Sequence, residues 1–189
     1  MRLKNFFYGI LTALGALAIE SVVMIFATTP DLAIAPEPAT WFMPVAVLIE
    51  EFISLILLTK LFQNDPDKKT AFTRALLFGA GFSVPEILLN YSNFSVLSQD
   101  VIFAYLGLFL LHTATAGLFG LYFSRQTNFT PSLSLFLLLA IAVHLAFNFS
   151  ILSNLNIWLS LALPVSVILI SFLSSKTPLL KTSLPIQKN

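Results

Sequence analysis

Apolar and polar positions along the chain sort into six long apolar runs, at about residues 5 to 28, 40 to 62, 71 to 91, 100 to 123, 132 to 152 and 156 to 174. A helix needs about 20 consecutive apolar residues to cross the hydrocarbon core of a bilayer. The pattern therefore predicts an all-α, polytopic membrane helix bundle of about six transmembrane helices, forming a single domain over residues 1 to 175. Turn-rich segments separate the runs: Thr29 to Ala39 with three prolines, the charged Asn64 to Lys69, Ser92 to Gln99, and Arg125 to Pro131. The last break, Ser153 to Asn154, is so short that the final two runs read either as a tight helical hairpin or as a partly re-entrant pair. Residues 176 to 189, with three lysines and two prolines, read as a disordered cytoplasmic tail. No internal repeat of the kind that builds inverted-repeat transporters is visible.

Composition agrees with a membrane location. Of 189 residues, 57% are hydrophobic and 10% charged, against about 25% charged in soluble domains. The mean hydropathy is +0.89. Basic residues then set the orientation. Arg2 and Lys4 precede the first run, Lys60, Lys68, Lys69 and Arg74 surround the second break, Arg125 lies in the fourth, and Lys176, Lys181 and Lys188 follow the sixth run. All ten thus fall on one side, which the positive-inside rule makes cytoplasmic together with both termini. Trp41, Tyr91 and Trp158 sit at the opposite ends of their runs as interfacial anchors. The first run could pass for a signal peptide, but it is long, lacks a clear small-residue cleavage site and contains Glu20; it reads as a retained helix. A scattered net charge of +1 argues against nucleic acid as a partner. The absence of cysteine removes thiol nucleophiles and thiolate metal ligands.

Away from the ends of these runs lie six glutamate and histidine side chains: Glu20, Glu50, Glu51, Glu86, His112 and His144. Charges at membrane depth cost about 2.5 to 3.5 kcal/mol on insertion scales and usually face a cavity or each other. Glu50 and Glu51 lie about ten residues, roughly 15 Å, below the outer surface. The other four fall at the middle or in the outer half of their runs, so five helices present polar groups at overlapping depths. Isolated packing hydrogen bonds account for one such residue as well as a site does, but less well for a convergent set. His144 and Asn148 share one helix face; so do Phe82, Glu86 and Asn90. His112, Thr115 or Ala116, and Gly120 form a stripe whose small members admit a close neighbour. Pro85 removes a backbone donor beside Glu86, which suits a water-holding cavity or simply shapes packing. Glu50 and Glu51, adjacent and without a buried cation, should not both be ionised. Such a pair suits a general base. Glu20 has no companion motif and reads as a structural or gating residue.

The paired glutamates Glu50-Glu51, the segment Gly79-Ala80-Gly81-Phe82-Ser83-Val84-Pro85-Glu86, His112 with Gly117 and Gly120, and His144-Leu145-Ala146-Phe147-Asn148-Phe149 occur in this order, one motif per run. Together they resemble the PrsW family of intramembrane proteases, related to the CAAX-prenyl proteases and bacteriocin-processing proteins. The resemblance covers about half the chain, and departs from the family pattern at Ser54, where a basic residue is usual, and at Ile87, where asparagine is common. It implies an intramembrane endopeptidase, multi-pass in a prokaryotic plasma membrane, that cuts a membrane-tethered protein or peptide with glutamate-activated water. By position, Glu50 would be the base and Glu51 its orienting or proton-sharing partner. His112 and His144 would hold the water and protonate the leaving amine, Asn148 would stabilise the oxyanion, and Glu86 would complete the polar ring. No cofactor is implied. The same glutamates and histidines also suit a zinc-dependent hydrolase, although no HExxH motif occurs. A non-enzymatic scaffold or immunity subunit and a proton-coupled transporter are the readings from other classes, the last disfavoured by the lack of polar groups in the cytoplasmic half.

Overall fold

The computed structural model describes residues 2–27, 38–63, 67, 70–91, 98–125, 132–153 and 157–176. Within them lie six helices: α1 (Arg2–Ala27), α2 (Pro38–Phe62), α3 (Ala71–Tyr91), α4 (Gln99–Ser124), α5 (Leu133–Leu152) and α6 (Ile157–Lys176). The protein is an all-helical, polytopic membrane bundle. Five of the helices carry spans of 19 to 26 residues that are long and apolar enough to cross a membrane, and the apolar stretch of α6, Ser160–Lys176, is shorter. None has a marked apolar stripe, because in lipid the outward face is as apolar as the inward one. Leu11, Val22, Leu88, Leu138 and Ile170 accordingly stand exposed on the outside of the bundle. The tail expected to be disordered falls, beyond Lys176, outside the described residues.

Glycine decides how closely the central helices approach. Residues two apart on a helix point about 200° apart, so Gly79 and Gly81 face opposite sides of α3. A Cβ on Gly79 would meet the backbone of His112 and Thr113 on α4, at 2.7 Å from the His112 carbonyl carbon, and one on Gly81 would meet the backbone of Phe6 on α1, at 2.8 Å. Gly9 of α1 returns the contact against the backbone of Phe78 and Phe82. Further along α4, Gly120 admits Ala75 and Gly117 admits Leu76. α3 is thus held backbone to backbone between α1 and α4. It runs unbroken through Pro85.

Serine and arginine close the rest of the bundle. Ser150 Oγ on α5 and Ser160 Oγ on α6 lie 2.7 Å apart and buried. At the other end Arg125, which caps α4, donates to the Ser174 carbonyl of α6. α6 therefore returns along the full length of its neighbours, so the last two runs form a helical hairpin. Trp158 packs at a tilt against Phe103, with ring centroids 5.0 Å apart.

The glycine contacts carry a stability prediction. Gly79→Ala and Gly81→Ala should each cost about 1 to 3 kcal/mol through overpacking. Gly15→Ala should cost nothing, since a Cβ there meets no atom within 4 Å. Thermal unfolding in detergent would check this; equal effects at all three positions would contradict it.

Candidate functional site

Five helices bring one ionisable group or more to a common centre. α2 contributes Glu50 and Glu51, α3 Glu86, α4 His112, α5 His144, and α1 contributes Glu20. Glu51 and His144 are nearly inaccessible, at 2% and 1%, and Glu20, Glu50 and His112 are also buried. Glu86 is the most open of the set, its side chain 24% exposed.

Each imidazole has its own carboxyl partner. His144 Nδ1 lies 2.8 Å from Glu51 Oε1, and His112 Nε2 lies 2.5 Å from Glu86 Oε2. An ionised carboxylate only accepts hydrogen bonds. With Glu51 ionised, Nδ1–H of His144 is the donor, and in a neutral ring the Nε2 lone pair is left facing Glu50. That nitrogen stands 3.6 Å from Glu50 Oε2, too far for a direct hydrogen bond. His112 spends Nε2 on Glu86 and keeps Nδ1 for another partner. Its ring is wedged against Phe82, centroids 4.7 Å apart, so Phe82 and Glu86, one turn apart on α3, hold it together. The two imidazoles meet edge to face at 5.3 Å.

The result is a small triangle: one ligating atom each of Glu50, His112 and His144 lies within 4.8 Å of the others. Three buried oxygens around it, Glu20 Oε1, Glu50 Oε2 and Glu51 Oε2, have no hydrogen-bond donor from the protein. Buried polar atoms without a partner are costly. The triangle is thus built to receive something that donates protons or positive charge to oxygen.

A cavity of about 360 Å³ leads toward it, bounded by Phe42 and Met43 of α2, Glu86 of α3, Tyr105 and Leu108 of α4, and Phe147 and Asn148 of α5. These residues lie toward the helix ends remote from the basic loops. Glu86 and Asn148 line the cavity. Glu50, Glu51, His112 and His144 do not, and His144 lies one turn deeper than Asn148. The cavity is mostly apolar, as ligand pockets generally are.

Of the residues singled out in the sequence, Glu50, Glu51, Glu86, His112 and His144 form the cluster, and Asn148 stands between it and the outside. Glu51, expected to orient Glu50 or share its proton, makes its hydrogen bond to His144 on a neighbouring helix. The side chain of Asn90 lies outside the described residues. Glu20, read from the sequence as structural or gating, is buried on α1, and its Oε1 is one of the oxygens without a donor from the protein. Its only signal in the sequence was depth, since no local motif surrounds it. Compared with protein-family models, curated proteins and solved structures, the chain matches none.

Proposed function

We propose that this protein is an intramembrane endopeptidase of a prokaryotic plasma membrane, cutting a membrane-tethered protein or peptide near the outer half of the bilayer. The observation that carries the reading is the convergence of Glu50, His112 and His144, from three different helices, to within 4.8 Å in a buried pocket beside an outward-opening cavity. A water held in the triangle donates one proton to Glu50 as its oxygen attacks the scissile carbonyl carbon. Asn148 donates to the oxygen that becomes negative. As the C–N bond breaks, the proton taken up by Glu50 passes by way of His112, which Glu86 holds in place, to the amine nitrogen, so both side chains end as they began. The motif order resembling the PrsW proteases points to the same chemistry. The test is cleavage of single-span reporter proteins by purified protein in liposomes, with fragments mapped by mass spectrometry. Identical fragments from wild type and Glu50→Gln would refute the assignment.

One observation favours a second version of the same activity. Two imidazole nitrogens and one carboxylate oxygen are the donor set of many catalytic zinc sites. The carboxylates of Glu51 and Glu86 behind the two histidines are the outer partners such ligands usually have. The residues therefore fit zinc, which when bound would acidify its water. The metal-free reading expects cleavage to survive a strong chelator, with no stoichiometric zinc in elemental analysis. Activity lost on chelation and restored by zinc would decide for the metal.

A further inference from the structure

A second cavity, of about 430 Å³, lies between α1 and α2 and shares no residue with the one described above. One face of each helix lines it, Tyr8 to Ile19 on α1 and Ile53 to Lys60 on α2, at spacings of three and four residues. Gly15 keeps it open. Each of the other six glycines would bring a Cβ under 3.0 Å from a neighbouring atom, but at Gly15 a Cβ would meet nothing within 4 Å. Glycine weakens a helix relative to alanine, and at Gly15 no close approach of a neighbour accounts for it.

The groove is polarised along its length. α1 starts and α2 ends at the basic end of the bundle, and there Lys60 and Tyr8 are the lining side chains able to donate to a headgroup. Lys4 adds a second ammonium at that end, 5.7 Å from the centre of the Tyr8 ring. Farther in, the Thr12 hydroxyl is spent on the Tyr8 carbonyl of its own helix, and the rest of the lining is apolar. No carboxylate lines the groove among the described residues. From Tyr8 to Ile19 the α1 face runs eleven residues, about 16 Å. That is close to half of the hydrocarbon core of about 30 Å, the depth of one leaflet.

We propose that this groove binds one anionic phospholipid, its phosphate held by Lys60 and Tyr8 and an acyl chain laid along Gly15 toward Ile19 and Ile53. Charge complementarity selects this occupant: a cationic end above an apolar trough of leaflet depth matches a headgroup and its chain, whereas a second copy of this chain would bring its own lysines to the same end. The site does not depend on the peptidase reading.

The experiment is native mass spectrometry of the full chain, released from detergent micelles after equilibration with equal amounts of phosphatidylglycerol and phosphatidylcholine. Wild type is compared with Lys60→Gln, Gly15→Leu and Lys176→Gln. Wild type should retain one phosphatidylglycerol per chain, preferred over phosphatidylcholine by at least about fivefold, the effect of one lysine near an anionic headgroup. Lys60→Gln should lower that preference about fivefold, and Lys176→Gln, on α6, should leave it unchanged. Gly15→Leu should fold, since its side chain enters open space, and should lower retention of both lipids by filling the trough. No retained lipid, equal retention of the two by wild type, or equal loss of preference in Lys60→Gln and Lys176→Gln would overturn the proposal. So would a dimer that Gly15→Leu disperses, which would assign the groove to a second copy.

Discussion

Glu50→Gln is expected to slow peptide cleavage by about 10² to 10⁴-fold, the usual contribution of a positioned general base. The substitution keeps the size of the side chain and removes its capacity to take a proton. Glu50 is buried, so a neutral amide there should leave unfolding temperature close to that of wild type. The defect should appear in single-turnover cleavage of a reporter in liposomes, where substrate binding and product release no longer mask the chemical step. A second substitution adds a sharper check. If Glu50 and His144 act on the same water, Glu50→Gln with His144→Ala should be hardly slower than the worse single variant, because groups working as a unit are strongly non-additive. Multiplied defects would mean that the two residues serve separate steps.

Asn148→Ala should cost about 10² to 10³-fold in kcat, as is found when one oxyanion donor is removed. Asn148 lies one turn outward from His144 and lines the cavity, where an arriving carbonyl would meet its amide. Because the interaction exists mainly in the transition state, KM should change little. Asn148→Asp should be at least as damaging, since it replaces the donor with an acceptor facing the developing negative charge. A variant that raised KM and spared kcat would place Asn148 in substrate binding instead.

The helices were legible because crossing a bilayer demands length and apolarity, and both are local properties of the chain. The predicted run at 71 to 91 coincides with α3, and the others differ at their ends by up to three residues, where helices meet the interface. Whether the last two runs formed a hairpin was not local information. It depended on Ser160 meeting Ser150, and on Arg125 reaching Ser174 across the bundle. The same division runs through the site. His144 with Asn148, and Phe82 with Glu86, could be placed on common faces from helical spacing alone. Which carboxyl each imidazole takes is decided by helix rotation, and adjacent residues such as Glu50 and Glu51 point about 100° apart. That angle sends Glu51 to Nδ1 of His144 and leaves Glu50 3.6 Å from its Nε2. The place of Glu20 is not local information either: α1 reaches the cluster through its approach to α3 at Gly9 and Gly81, which no pattern around Glu20 records.

That approach also bears on how the molecule can move. Where two helices meet through side chains, rotamer changes allow them to slide or separate in small steps. Where they meet through bare backbone, as α3 does with α1 on one flank and α4 on the other, there is nothing to re-pack, and the three helices form a stiff slab. Any widening of the cavity then falls to α2 and α5, which form its other walls, with the slab as the fixed surface they move against.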